Sequence, residues 1–309
     1  MNEGMRRNTP DEIHEPVNPR RASTVILARS ENGKPQVYLL KRSTKSRFMP
    51  DNYVFPGGTV SSGDCEDELW MSHIDLDLRE MTRRFGGDLT ESEVLAHGVA
   101  AIRETFEEAG VFLGSVDEGF HRDLQVFYEN RLARALPKGW FREWVISGRR
   151  TLAFSRLTPW AHWITPKIRP QRYDTRFFFA VLPSGQTCIP DTRETPWGIW
   201  VSPEEGLAMN LKREIALSPP TMVTLHELSK YRDMGELQKD LETRTWGVAR
   251  LPRTIPLTKG FLSLLPWDPM YHEDREKIIE EMTAVDLLPP GEPLSRLRFE
   301  NGIWIPVRI

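Results

Sequence analysis

The stretch Arg103-Glu104-Thr105-Phe106-Glu107-Glu108-Ala109-Gly110-Val111 decides how this chain is read. Four residues climb about 6 Å along an α-helix, so Glu104 and Glu108 are stacked neighbours one turn apart, with Glu107 beside them. Three carboxylates this close repel one another and raise one another's pKa unless a cation intervenes. Hard oxygen donors at this spacing suit Mg²⁺ or Mn²⁺. Arg103 is placed to pair with Glu107 at i+4 and restrain it. Taken alone, such a string reads equally well as a solvated acidic helix face.

Working outward, the string closes a helix expected from Glu91 to Ala109. Thr90 with Glu93 three residues on forms a capping box, and Gly110 ends the helix. Leu95, Val99, Ile102 and Phe106 share one face at helical spacing, and Glu104 and Glu108 fall on the other. Gly98 inside the helix costs about 1 kcal/mol against Ala, so a close packing contact is the expected reason for it. Upstream, Ala22 to Arg29 and Gln36 to Lys41 read as strands of a hairpin turned at Asn32-Gly33. A short strand Tyr53 to Phe55 leads into Gly57-Gly58, where the backbone can approach a polyanion or fix the loop geometry. Residues 65–95 carry nine acidic residues against three arginines, with Ile74, Leu78, Met81 and Phe85 spaced as one helical face.

Downstream, residues 120–150 read as helical. Strands are expected at Ala161 to Ile164, Arg176 to Leu182 and Gly198 to Val201, and helices at Pro203 to Met209 and Pro219 to Tyr231. The tail is proline-rich and ends in a hairpin at Asn301-Gly302. Strands on both sides of a glutamate-rich helix predict an α/β (α+β) fold, a mixed sheet sandwiched as α/β/α. The expected division is a flexible lead-in over 1–21, a catalytic domain over 22–250 with 65–95 inserted, and a C-terminal extension over 251–309 packing on that domain.

The 309 residues carry 41 Lys and Arg against 44 Asp and Glu, a net charge of −3, with no basic stripe. A nucleic-acid partner is not expected, and a polyanionic small molecule would have to be held by a few placed arginines and by metal. Cys65 and Cys188 read as ordinary reduced thiols. No apolar run reaches the ~20 residues that span a membrane, and the first residues lack an apolar signal core. The C-terminus is not a Ser-Lys-Leu address, so a cytoplasmic location is the default expectation.

The motif itself resembles the box of the Nudix hydrolases, GX5EX7REUXEEXGU, where U is a bulky apolar residue. Arg103, Glu104, Glu107, Glu108, Gly110 and Val111 match its second half. Phe55-Pro56-Gly57-Gly58 resembles the entry to the box, and Asp64 stands where the family has Glu. Thr105 replaces the apolar U. Gly58 to Arg103 spans 45 positions where the family has 14, so 65–95 interrupts the box. A split box is similar to that of the peroxisomal CoA and acyl-CoA diphosphatases. Leu40-Lys41-Arg42-Ser43, Pro159 to Pro166, Arg172 to Phe178, Trp200-Val201-Ser202-Pro203 and Leu217 to Thr221 resemble that branch too.

The resemblance implies a metal-dependent pyrophosphohydrolase, with Mg²⁺ or Mn²⁺ on Glu104, Glu107 and Glu108 and Arg103 among the catalytic set. Its substrate is expected to be a small nucleotide diphosphate. CoA or acyl-CoA, cut to 3′,5′-ADP and (acyl-)phosphopantetheine, leads over ADP-ribose, NADH or a dinucleoside polyphosphate. A non-catalytic Nudix-fold binding module is the alternative of another class. The general base comes from the box or from a later loop, where Glu194 is the candidate. Arg169, Arg172 and Arg176 are candidate phosphate clamps, with Arg42 and the Gly57-Gly58 backbone also facing substrate. Trp163, with Trp160 and Tyr173, is a candidate to stack on adenine or line an acyl groove, core packing being the plain alternative. The insertion is a candidate lid, specificity wall or homodimer surface.

Overall fold

Val25 and Leu27 face one way from the strand Arg20–Glu31, Ile26 and Ala28 face the other, and all four are fully buried. A strand hides both faces only inside a sheet covered on both sides. The computed structural model describes residues 17–46, 48–115, 120–132, 136–137, 139–192, 194–281, 286–289 and 291–308, and it contains such a sheet. Most of the expected lead-in, residues 1–16, lies outside the described residues. The sheet has eight strands. Arg20–Glu31 runs parallel to Tyr173–Val181 and antiparallel to Lys34–Lys41, so the sheet is mixed. Helix Glu91–Ala109 covers one face, and Pro203–Leu211 and Pro219–Leu228 cover the other. This is the expected α/β/α sandwich. Asn32 and Gly33 both take positive φ, as the tight turn between the first two strands requires.

One edge of the central strand is shared, and that sharing places the site. Its C-terminal half, Ala28 to Glu31, pairs with Val37 to Lys34, while Ala22 to Thr24 pair with Thr59 to Gly57. The short strand Gly57–Thr59 thus lies directly beneath the helix that carries the glutamates. That helix has the expected ends: Thr90 and Glu93 cap each other's backbone, and Gly110 closes it at φ 71°. Gly98 is explained by Phe154, whose ring carbon would lie 2.1 Å from a Cβ there. Thr105 is fully buried, and its hydroxyl donates to the Ala101 carbonyl at 2.7 Å, so the polar replacement leaves no unpaired group.

The insertion departs from its expected shape. The helix expected to carry Ile74 to Phe85 runs only over Leu78–Phe85, because the Asp77 side chain accepts from Glu80 N at 2.8 Å and starts it there, and a separate short helix, Asp67–Met71, precedes it. Ile74 lies before that cap, bridged to Leu152, and Leu78 is exposed. Of the expected apolar face, Met81 and Phe85 are buried and Ile74 packs partly buried on the same core, and Trp70 joins them over helix Glu91–Ala109. Trp70 Nε1 donates to the Gly63 carbonyl and Trp246 Nε1 to that of Phe85, both at 2.8 Å.

Beyond the sandwich, a five-stranded sheet runs in the order Asp286–Leu287, Ile303–Arg308, Arg296–Glu300, Phe261–Leu264, Arg253–Pro256. Asn301 and Gly302 turn its hairpin at positive φ, where the sequence places it. Asn210 joins this sheet to the main body: its amide donates to the Trp304 carbonyl at 2.8 Å and accepts from Leu217 N at 3.0 Å. Trp304 and Leu297 complete the apolar layer under helix Pro219–Leu228.

Because the insertion supplies fully buried aromatic residues, Phe85→Ala should cost about 3–5 kcal/mol in urea unfolding. A loss under about 1 kcal/mol would mean that the segment is only an appendage.

Candidate active site

Arg103 is the hub around which the acidic groups are arranged. Its Nε and Nη2 donate to the two oxygens of Asp64, each at 2.8 Å, a bidentate pair. Nη2 also donates to the Thr59 carbonyl at 3.0 Å, and Nη1 reaches Glu104 at 2.8 Å and Glu107 at 3.0 Å. The i+4 pairing with Glu107 was legible in the sequence, whereas the Asp64 contact spans 39 residues. Asp64 is buried and is itself held by the backbone N–H and hydroxyl of Ser61. The interrupted box therefore closes on itself in space, with its two halves joined by one guanidinium. Its carboxylate neighbours hold the Arg103 pKa above the ordinary value despite burial.

Glu108 is buried on the other side of the helix turn and accepts a hydrogen bond from Gly57 N at 2.9 Å. Burial drives its pKa well up, the charges of Glu104 and Asp191 push the same way, and Gly57 and Arg42 pull back. Burial likewise raises Glu104, opposed by Arg103 and assisted by Asp64 and Glu194. Glu107 is pushed up to about 7 by burial against the pull of Arg103. Both glycines are fixed by closeness. A Cβ on Gly57 would lie 2.4 Å from the Ser23 carbonyl oxygen, and one on Gly58 would lie 2.5 Å from the Glu104 carboxylate.

Two cavities meet at these carboxylates. A cleft of about 580 Å³ is lined by Glu104, Glu108, Glu194, Arg42, Gly57 and Gly58, and extends along Trp163 and Tyr173. A second cavity of about 880 Å³ holds Arg103, Glu107 and Asp64, and shares Glu104, Glu108 and Glu194 with the first. Trp70 and Glu66 of the insertion border it as well. Among the described residues, no three His, Cys, Asp or Glu side chains converge as a ready-made ion cage. The donor chemistry nevertheless fits a hard cation, because Glu104 and Glu108 are buried oxygens that repel one another and line both cavities.

Three sequence candidates, Arg176, Arg172 and Trp160, are not in the cleft. Thr175 and Phe177 line it, so Arg176 points through the other face of the sheet, as strand alternation demands. There it donates to Asp88 at 2.8 Å and lies over the Trp246 ring. Arg172 is buried and committed to the carbonyls of Thr165 and Val17. Trp160 is core, with Arg244 stacked on it. No motif marks Arg131, which donates to the carbonyls of Glu108 and Ile189 and so ties down the end of the glutamate helix. Asp191, three residues before Glu194, adds to the negative charge around Glu108.

A family model of the NUDT19 Nudix domain matches residues 19–228, which contain both halves of the box. The chain belongs to the NUDT19 family of Nudix hydrolases. It is a Nudix pyrophosphohydrolase by that membership. The acyl-coenzyme A diphosphatase NUDT19 of Xenopus laevis is 30% identical over 86% of this chain and 81% of its own length. Its namesake in Gallus gallus is 28% identical over 91% and 89%. A Nudix hydrolase structure from Alicyclobacillus acidocaldarius superposes with a TM-score of 0.57 at 21% identity, over 75% of this chain and 99% of that one, which supports the fold. No described helix of this NUDT19 family member is long and apolar enough to cross a membrane.

The raised carboxylates carry a signed consequence. A group titrating higher in the folded than in the unfolded chain stabilises the fold at low pH, and that contribution is lost as pH rises through its folded pKa. His97, buried with its pKa pushed down to about 4, acts oppositely, so a difference is the informative quantity. With chelator present, the melting midpoint of Glu108→Gln should gain on the wild type as pH rises from about 5 to about 8. A gap that stays constant would contradict the buried, charge-crowded state of Glu108.

Proposed function

We propose that the chain hydrolyses the diphosphate of CoA or acyl-CoA, releasing 3′,5′-ADP and phosphopantetheine or its acyl form. The observation that carries this reading is one continuous cleft. Glu108, Glu104 and Arg42 stand at one end, and aromatic, proline and aliphatic side chains interspersed with Ser and Thr hydroxyls and one further arginine, Arg169, form the rest of its wall. That wall suits a long, mostly apolar arm bearing few charges. The names of the Xenopus and Gallus relatives point to the same substrate class.

In this reading Glu104, Glu107 and Glu108 hold Mg²⁺ or Mn²⁺. Such a cation neutralises phosphate charge and lowers the pKa of water. Arg42 and the Gly57-Gly58 backbone orient the diphosphate, Arg42 being close enough to Glu108 to oppose the rise that burial causes in its pKa. Arg103 keeps Glu104 and Glu107 in place. Glu194 is the assigned base. It stands where the two cavities join, its charge is felt at Glu104, and its carboxylate has no hydrogen-bond partner among the described residues. Glu194 takes a proton from water as the water oxygen bonds to phosphorus and the bridging P–O bond breaks.

The test is a panel of CoA, acyl-CoA, ADP-ribose, NADH and diadenosine polyphosphates with Mg²⁺ or Mn²⁺, with products resolved by mass. CoA and acyl-CoA should be cut with the highest kcat/KM, and a strong preference for ADP-ribose or NADH would overturn the reading. Glu108→Gln should lower kcat on the order of a hundredfold or more while leaving the circular-dichroism spectrum unchanged. Wild-type turnover in that variant would remove Glu108 from the site.

A further inference from the structure

Arg169 is a second arginine of this cleft, besides the Arg42 assigned to the diphosphate above. It lines the wall in the connection between Thr158–Ile164 and Tyr173–Val181, where its backbone N–H closes a turn on the Pro166 carbonyl. Its guanidinium lies over the Phe261 ring of the C-terminal sheet, 5.7 Å from the centroid. It makes no ion pair and no side-chain hydrogen bond among the described residues. Stacking on an aromatic ring uses the face of a guanidinium and leaves its in-plane N–H donors free, an arrangement suited to an oxyanion.

Strand register sets Arg169 apart from the reacting group. Gly57 pairs with Thr24, which pairs with Phe177, and the next cleft-facing residues toward the turn are Thr175 and Tyr173. Phe177 to Tyr173 is four residues, or about 13 Å of extended backbone, part of which the Arg169 side chain spans in reaching the cleft it lines. Arg169 lies beyond Tyr173, in the turn that Thr165 closes by donating to the Tyr173 carbonyl. Tyr173 itself packs edge-on against Phe48 at 5.0 Å, and this aromatic pair lines the same cleft as Arg42 and Arg169.

We propose that Arg169, held on Phe261, reads a phosphate monoester on the substrate distinct from the scissile diphosphate: the 3′-phosphate of CoA. This rests on the CoA reading above and sharpens it, since ADP-ribose and NADH carry no such group. Arg169 and Phe261 then determine specificity, and Phe261 does so by positioning the guanidinium. Phe261 also lies outside the 19–228 segment matched to the family, so the C-terminal sheet takes part in substrate choice.

The experiment compares kcat/KM for CoA and 3′-dephospho-CoA in the wild type, Arg169→Ala and Phe261→Leu. The two substrates share the same diphosphate and pantetheine arm. The wild type should favour CoA. Arg169→Ala should shrink the CoA-to-dephospho-CoA ratio on the order of tenfold, mainly through KM, and Phe261→Leu should shrink it less. A ratio unchanged in Arg169→Ala, or a wild type indifferent to the 3′-phosphate, overturns this assignment and leaves the diphosphatase reading standing. A wild type that cleaves neither substrate overturns the diphosphatase reading itself.

Discussion

One guanidinium holds the site together. Arg103 grips Asp64 with two parallel hydrogen bonds and at the same time reaches Glu104, Glu107 and the Thr59 carbonyl. Asp64 and Arg103 stand at opposite ends of the inserted segment, so this pair returns the chain to register after its excursion. Both partners are largely out of water, and removing one member of such a pair costs about 3–5 kcal/mol by leaving the other uncompensated. The insertion is tolerated because it brings its own apolar residues, Trp70, Met81 and Phe85, and packs them on the helix that carries Arg103. The box is thus conserved in space though broken in sequence.

Arg103 compensates one side of the helix turn and leaves the other wanting. Glu108 faces Glu104 and Asp191, with one backbone N–H and the field of Arg42 as its relief. Fixed negative charge in a buried place is unfavourable unless a cation compensates it, and the proposed metal would relieve that imbalance. The glycine strand beneath it contributes by being thin. With no side chain at residues 57 and 58, the backbone can sit against both carboxylates. The same close approach that shapes the floor of the cleft therefore fixes where the carboxylates point.

Local signals in the sequence were strong where local chemistry governs. The helix Glu91–Ala109 was legible to the residue, since a capping box and a terminal glycine are short-range devices. So were the hairpins at Asn32-Gly33 and Asn301-Gly302. Long-range pairing was not legible. Nothing in the spacing of 65–95 showed that Asp77 would begin the helix and strand Ile74 outside it. Arg176 shows the limit most clearly. Its strand was recognised, but which face each residue takes depends on register, and a one-residue change of parity carries a side chain from the cleft to the opposite layer. Arg172 was misread for another reason: a buried arginine can be fully occupied by backbone carbonyls that no motif marks. The carboxylates and glycines of the cleft were found because the box encodes their local geometry. Arg131 and the Phe261 platform were missed because they come from segments with no such pattern.

Under the proposed function, the under-compensated Glu108 and its neighbour Glu104 hold a hard divalent cation. Titration of Mn²⁺ into the chelator-treated protein, followed by the loss of the free-ion electron paramagnetic resonance signal, reads this directly. Saturable binding by the wild type, weakened at least about tenfold in Glu104→Gln and in Glu108→Gln, is the predicted result. Equal Mn²⁺ affinity in the wild type and both variants would contradict it.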